Sequence, residues 1–304
     1  MEKLKIFDLH CDTLTGIFRS GLTDLSSLML RPEDCGHFDG FTQLFAVFAS
    51  PALSDNDAFS EACEVLENAE KLLRPYTEQG ARVLLSVEDG RILGGELARL
   101  DTLASLGVRA LTLVWGGDCC VGGAWSSESG AGLTDFGKEV VRRCAALGIL
   151  PDLSHASDRS FDDAADILEE LGLPLLATHS DSRTVCPHGR NLTDGRFERI
   201  VRSGGLCGIS LCPEHVSVNG KDDRDAADSG CGIPDVADHI LHYLSLGGEK
   251  TVALGCDCDG IEKAPRGLEH PSGLDALADE LLRRGVCEDT VRDVFFRNAE
   301  RFFA

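Results

Sequence analysis

Eight short apolar segments recur along this sequence, and each ends in polar or metal-capable residues. In chain order they occupy residues 4–9, 44–49, 83–87, 110–115, 149–153, 173–177, 206–211 and 252–254. Uninterrupted apolar segments of this length are typical of strands that are buried on both faces of a parallel sheet. The sequence therefore predicts a sheet whose faces are covered by other elements of the chain.

Helical periodicity separates several of these segments. It occurs at 57–78, 135–147, 159–171, 194–203, 235–246 and 273–303, the last of which is expected to hold two helices. Thr134 is a suitable N-cap for the second helix, and Gly148 is suited to end it. Eight strands that alternate with helices predict an α/β fold, a (β/α)8 TIM-type barrel that forms a single domain over residues 1–304. A doubly wound open sheet is the alternative.

Charge and composition exclude several classes of partner. The 304 residues carry a formal net charge of −22, which disfavours nucleic acid and anionic membrane surfaces. The sequence has no apolar stretch of ~18 residues that would span a membrane, and no signal-peptide core precedes the first strand. Its 13 cysteines are odd in number and scattered through apolar segments, as reduced thiols are. These features predict a cytoplasmic protein.

Residues with catalytic or metal-binding chemistry fall where the predicted strands end. They are His10, Asp12, Glu88, His155, His179 and Asp257. The carboxyl ends of all eight strands meet at the mouth of a (β/α)8 barrel, where active sites lie. Any one of these residues alone is more often a hydrogen-bonded core residue. Six of them at matching strand ends indicate a shared site.

Three imidazoles and three carboxylates in one cavity carry excess negative charge, so a counter-ion is expected. Imidazole and carboxylate ligands fit Zn²⁺ best, although Mn²⁺, Co²⁺ and Fe²⁺ also accept them. Because one ion takes three or four protein ligands, six groups indicate a pair of ions, ~3.5–4 Å apart, of the kind that generates a hydroxide nucleophile. The sequence therefore predicts a hydrolase.

Other residues near these positions have weaker signals. Cys11, Cys256 and Cys258 flank the predicted ligands, but strand alternation turns them away from the mouth, so packing thiols are expected. Arg190 follows the sixth apolar segment and is suited to hold a substrate carboxylate in a bidentate contact. The acidic segment 221–228 is predicted to be a solvated loop.

The segments that contain these residues resemble the renal (membrane) dipeptidase family of zinc hydrolases. They are FDLHCDT at 7–13, LSVEDG at 85–90, LTDFG at 133–137, DLSHAS at 152–157, THS at 178–180, RNL at 190–192 and GCDCDG at 255–260. They follow the family's order and extend over almost the whole chain. The resemblance implies a (β/α)8 barrel of the metal-dependent hydrolase type that binds two zinc ions.

Carried over position by position, the resemblance implies specific ligands. His10 and Asp12 would bind one zinc ion, His155 and His179 would bind the other, and Glu88 would bridge the two ions. The implied reaction is hydrolysis of dipeptides, L-L and also L-D, through a metal-bridging hydroxide. The resemblance also allows a homodimer, although no segment of the sequence marks an interface.

Three further residues concern catalysis and substrate binding. The resemblance implies that Asp257 holds the reactive water and moves its proton, and that Arg190 binds the free C-terminal carboxylate of the dipeptide. Trp115 departs from the family, because the renal-type enzymes have a substrate-contacting histidine at the end of the fourth strand. An indole offers one N–H donor and no base, so it could stabilise an oxyanion but not exchange a proton.

Two other functions stay open at this point. The same metal centre could act on another amide, a lactam, a lactone or a phosphoester, which Trp115 and the glycine-rich segment after the fourth strand would favour. A non-catalytic metal-binding or thiol-redox protein is the third possibility, and the 13 cysteines are its basis.

Overall fold

Eight parallel strands form a closed barrel in the computed structural model, which describes residues 3–304. The strands are β1 (Ile6–Cys11), β2 (Phe41–Phe48), β3 (Ala81–Glu88), β4 (Val108–Thr112), β5 (Leu150–Asp152), β6 (Leu176–Ala177), β7 (Leu206–Ile209) and β8 (Val252–Leu254). Each strand pairs with the next, and β8 pairs with β1 through the register Asp8–Leu254. The closed barrel confirms the predicted fold and excludes the open sheet.

Helices follow the strands and cover the outside of the barrel. They are α1 (Thr13–Ser20), α2 (Pro32–His37), α3 (Asp55–Leu72), α4 (Arg74–Glu78), α5 (Ala98–Ser105), α6 (Asp135–Leu147), α7 (Asp158–Glu170), α8 (Asp194–Arg202), α9 (Pro213–Val216), α10 (Ile233–Ser245), α11 (Leu274–Arg283), α12 (Glu288–Arg292) and α13 (Asn298–Phe303). Two 3-10 turns, Gly90–Leu93 and Pro271–Gly273, lie among them. A π-helical turn, Asp293–Arg297, joins α12 to α13.

Local sequence signals set some helix ends well and miss others. Helix α6 has the predicted bounds, because the Thr134 side chain accepts a hydrogen bond from the Gly137 N–H and Gly148 ends the helix at φ +72°. The helix expected at 57–78 is instead divided into α3 and α4. Pro75 has no N–H to continue the helical pattern, so it starts a new helix. Helices α1, α2, α5 and α9 were not predicted.

Two apolar layers fill the molecule. One lies between the strands and the helices, and the other lies inside the barrel. Ala299 and Phe303 of α13 pack with the inner layer, against Phe7 and Leu9 of β1 among others. Helix α13 therefore closes the amino end of the barrel, and the carboxyl ends of the strands remain as the open end. Within residues 3–304, no helix is both long and apolar enough to cross a membrane.

Close approach of three strand ends requires glycine at position 208 in β7. A Cβ atom at Gly208 would lie 1.9 Å from the Thr178 carbonyl oxygen and 3.0 Å from the Gly255 Cα. We expect the Gly208→Ala substitution to lower the free energy of unfolding by about 1–3 kcal/mol, because backbone atoms of the barrel must move apart. Urea-induced unfolding, followed by circular dichroism, measures the change.

Gly195 in α8 is the matched control, because a Cβ atom there would meet nothing within 4 Å. The Gly195→Ala variant is expected to be as stable as the original protein or slightly more stable, since alanine is the better helix former. Equal stability of the two variants would contradict the packing described at Gly208.

Candidate metal centre and its cavity

The six predicted strand-end residues come together at the open end of the barrel. The Nε2 atom of His10 lies 3.5 Å from Glu88 Oε2, 3.7 Å from Asp12 Oδ2 and 3.8 Å from Asp257 Oδ1. These contacts join the ends of β1, β3 and β8, which are not consecutive along the chain. The first half of the cluster is thus one imidazole among three carboxylates.

The second half of the cluster faces the other oxygen of Glu88. Its Oε1 atom lies 3.1 Å from His155 Nε2 and 3.6 Å from His179 Nε2. The two Nε2 atoms are 2.9 Å apart. The Glu88 carboxylate therefore lies between two groups of ligand-capable atoms and presents one oxygen to each.

An irregularity in β1 turns His10 into this cluster. Phe7 and Leu9 both belong to the apolar layer inside the barrel, so strict alternation would turn His10 outward. The pairing of β1 with β2 shifts between Asp8 and Cys11, and Cys11 joins the outer apolar layer instead. The shift therefore lets His10 face the mouth.

Two residues of the cluster occupy left-handed backbone conformations, with φ +65° at His155 and φ +60° at Asp257. Such conformations are uncommon outside glycine and cost free energy, so neighbouring contacts must hold them. The Asp257 N–H donates to the His10 carbonyl over 3.0 Å, and the Trp125 N–H donates to the His155 carbonyl over 2.8 Å. These two hydrogen bonds hold the backbone of both loops in place and so keep the His155 and Asp257 side chains in the cluster.

Burial opposes charge throughout the cluster. It raises the pKa of Glu88 to about 7 and raises the pKa of Asp257 well above its usual value. It lowers the pKa values of His155 and His179 well below the ordinary histidine value. Burial also acts to lower the pKa of His10, but the carboxylates beside it, Glu88 first, outweigh this and raise it. Divalent cations would offset the cost of keeping these carboxylates ionised.

The donor atoms fit such cations. His10 Nε2 and Asp12 Oδ1 are buried and have no hydrogen-bond partner in the described part of the chain. Two sets of three ligand atoms, each within 4.8 Å of one another, are His10, Glu88 and His179, and His10, Asp12 and Asp257. Imidazole nitrogen with carboxylate oxygen suits Zn²⁺, Mn²⁺, Co²⁺ and Fe²⁺.

Arg190 lies behind the cluster with its side chain buried. Its guanidinium donates to Ser180 Oγ over 2.9 Å and to the His179 carbonyl over 2.6 Å. Its buried Nε–H has no partner among residues 3–304. This donor is enclosed by protein, and Arg190 is not among the residues that line the cavity in front of the cluster.

Trp115 lies in the wall of a cavity of about 460 Å³ in front of the cluster. Its ring meets Phe48 edge-on, with the ring centroids 4.9 Å apart, and lies 6.1 Å from the His155 ring. No hydrogen bond links the Trp115 indole N–H to the described residues. Trp115 follows the end of β4 at Thr112 by three residues and lies beside His155 in the cavity wall.

Several cavity residues were missed by the sequence interpretation. They are Thr15, Arg19, Phe48, Trp125, Glu214, His215 and Ile261. His215 follows the seventh apolar segment by four residues, so the strand-end criterion used for the other histidines could have found it. Asp222 also lines the cavity, although the acidic segment around it was predicted to be solvated. Nothing in the sequence marks Ile261 or Phe48 as site residues.

The cysteines are packing residues, as predicted. All 13 thiols are free. Cys11, Cys256 and Cys258 are buried in the apolar layer outside the strands. The thiols that flank the cluster therefore face away from it.

The model of the membrane dipeptidase family, peptidase family M19, matches residues 56–304. His10 and Asp12 precede that range, and the other four residues of the cluster fall within it. An uncharacterised dipeptidase of Schizosaccharomyces pombe is 34% identical over 206 residues, which are 66% of this chain and 47% of that protein. The matched part of this chain thus spans about half the length of that relative.

Solved structures with the same fold extend the similarity over the whole barrel. The dipeptidase AC, a metallopeptidase of family M19, is 25% identical with a TM-score of 0.87, covering 99% of this chain and 98% of that one. A metallopeptidase from Rhodobacter sphaeroides, liganded with a phosphinate mimic of the dipeptide L-Ala-D-Ala, is 24% identical with a TM-score of 0.86, covering 99% of each chain. At 24% identity, the similarity to the Rhodobacter sphaeroides structure shows that the two chains share a fold.

Proposed function

This chain belongs to the membrane dipeptidase family, peptidase family M19, and from that membership we propose that it is a metal-dependent dipeptidase. Its substrates are dipeptides with a free C-terminal carboxylate, of L-L and L-D configuration. The observation that carries the proposal is the convergence of three imidazoles and three carboxylates on one buried cluster beside a cavity. Such a cluster is costly to bury without cations, and it has the ligand types of a hydrolytic metal centre.

The metal-binding roles follow the two halves of the cluster. His10 and Asp12 would hold one zinc ion, His155 and His179 would hold a second, and Glu88 would bridge them. The two Glu88 oxygens face different imidazole nitrogens, at 3.5 Å and 3.1 Å, which supports this assignment. Mn²⁺, Co²⁺ or Fe²⁺ could replace zinc. When bound, such ions activate a water molecule near neutral pH and polarise the scissile carbonyl group.

Asp257 would move the proton. Its carboxylate lies beside His10, and an ionised carboxylate held there can take a proton from the attacking water. It would then deliver that proton to the departing amine. The hydrogen bond from its backbone N–H to the His10 carbonyl keeps the side chain beside the cluster during the transfer.

Arg190 and Trp115 would bind the substrate. The buried, unpartnered Nε–H of Arg190 would donate to the terminal carboxylate of the dipeptide, which excludes peptides that extend further. The Trp115 indole N–H would face the carbonyl oxygen that becomes negative during attack. Trp115 has no base to exchange a proton, so we assign the proton transfer to Asp257.

A second candidate function is hydrolysis of another amide, a lactam, a lactone or a phosphoester at the same centre. Trp115 favours it, because an indole in place of the family histidine changes the wall of the cavity next to His155. Greater activity on such substrates than on dipeptides would decide for this candidate.

We also propose that the protein is cytoplasmic and that it forms a homodimer. The 13 free thiols support a reducing compartment. Fractionation of the native host and light scattering of the purified protein test these two proposals.

Metal content and turnover together test the proposed reaction. We expect two zinc ions per chain by plasma emission, and cleavage of a small panel of L-L and L-D dipeptides by the same preparation. Two ions without dipeptide cleavage would favour the second candidate function. One ion or none, in folded protein given excess zinc, would contradict the assignment of Glu88 as a bridge.

The Asp257→Asn variant should retain both metal ions but lose about 10²–10⁴-fold in kcat, since the amide cannot accept the proton. Asp222→Asn is the matched control, because Asp222 lines the same cavity and its Oδ1 accepts backbone N–H groups that an asparagine Oδ1 also accepts. The control should keep its kcat. Equal kcat values in both variants would show that Asp257 transfers no proton.

The role of Arg190 predicts discrimination between a dipeptide and its C-terminal amide. We expect kcat/KM for the amide to be about 10- to 100-fold lower, because a hydrogen bond to a charged carboxylate is lost. For the Arg190→Lys variant in the same assay, we expect a smaller difference between kcat/KM for the dipeptide and kcat/KM for its amide. Equal cleavage of acid and amide by the unaltered protein would exclude Arg190 as a carboxylate clamp.

A further inference from the structure

A layer of buried polar side chains lies directly beneath the metal cluster. Asp152 ends β5, Thr112 ends β4 and Thr178 follows β6, and all three are at most 2% exposed. Thr112 Oγ1 lies 2.6 Å and Thr178 Oγ1 lies 2.7 Å from the same oxygen of Asp152, Oδ2. The other oxygen, Oδ1, accepts the backbone N–H groups of Ser154 and Thr178. Asp152 thus receives four donors.

Thr178 connects this carboxylate to a residue of the metal cluster. Its Oγ1 atom lies 2.8 Å from Nδ1 of His179, the next residue in the chain. His179 Nε2 points the other way, into the cluster, where it is 3.6 Å from Glu88 Oε1. The continuous path is therefore Asp152 carboxylate, Thr178 hydroxyl, His179 ring and metal cluster.

The hydrogen-bonding capacity of each group determines which atoms donate and which accept along this path. A hydroxyl has one proton to donate, and a carboxylate oxygen can only accept. The Thr178 proton must therefore go to Asp152, since two acceptor oxygens 2.7 Å apart would otherwise repel each other. The Thr178 oxygen is then an acceptor for the Nδ1–H of His179 and for the Ser154 hydroxyl, which lies 3.3 Å away. The remaining ring nitrogen, Nε2, presents its lone pair to the cluster.

We propose that Asp152 and Thr178 are positioning residues, which hold His179 in the Nδ1–H tautomer and in the ring orientation needed to bind metal. The inference rests on the metal centre of the proposed function and deepens it. Groups that bind the second ring nitrogen of a metal-ligating histidine fix its tautomer and strengthen it as a ligand. His155 lacks such a support, because its buried Nδ1 has no partner in the described part of the chain.

Asp152 also links the ends of three strands, so a purely structural role must be distinguished from a positioning role. The structure offers a matched pair of substitutions for this purpose. Thr112→Val and Thr178→Val each remove one hydroxyl from the same Asp152 oxygen, at nearly equal distance and burial. Only the Thr178 hydroxyl also touches His179. If Asp152 and Thr178 only stabilise the fold, the two variants should bind zinc equally well. If they position His179, Thr178→Val should bind zinc more weakly than Thr112→Val.

The experiment measures the zinc affinity of this chain by competition with a chromophoric chelator. Urea unfolding of the same samples measures stability. We expect Thr178→Val to weaken zinc binding about 10- to 100-fold, in the range seen for loss of such supporting groups. Thr112→Val should bind zinc within about threefold of the unaltered protein, although its stability falls as well. Thr178→Ser keeps the hydroxyl and should restore the affinity.

Equal zinc affinities of the two valine variants would overturn the proposal, whatever their stabilities. The proposal also fails if Thr178→Ser binds zinc as weakly as Thr178→Val. These outcomes do not contradict the proposed reaction, because they concern zinc affinity and not the turnover of dipeptides. Conversely, a protein that shows the expected affinity differences but cleaves no dipeptide would overturn the proposed reaction and keep the positioning role.

Discussion

Burial of like-charged carboxylates beside imidazoles in one small space is the constraint on which this structure depends. Glu88 and His10 have almost no contact with solvent, and Asp12 and Asp257 have little. Burial raises the pKa of Glu88 and Asp257, because it disfavours the charged form of both carboxyl groups. Divalent cations would offset this cost, so the proposed ions and the barrel mouth are expected to form one unit.

The barrel is organised to hold that cluster firmly. Helix α13 closes the amino end with apolar side chains, so the polar groups are confined to the other end. Between the two lies the buried layer around Asp152, which joins the ends of three strands by hydrogen bonds to one carboxylate. Glycine at position 208 permits the close approach of the ends of β6, β7 and β8. The strand ends and the residues that directly follow them carry the ligands, and loops complete the cavity.

Membership of the M19 family and the wall of the cavity contribute different information about function. The family, together with the clustered ligands, supports hydrolysis at a metal centre. The wall of the cavity has Trp115 against Phe48 on one side and also includes Glu214 and His215. Substrate preference is a property of that wall. The same centre with another wall would select another amide or ester.

The sequence by itself determined the barrel and the identity of the six clustered residues, because buried parallel strands and their polar ends are local patterns. It also determined the ends of α6, through Thr134 and Gly148. Only the tertiary structure decided which way His10 turns, since that depends on a pairing shift between β1 and β2. It alone joined Asp152 to Thr178 and placed Phe48 in the cavity wall. These contacts connect residues far apart in the chain, and no local pattern of side chains records them.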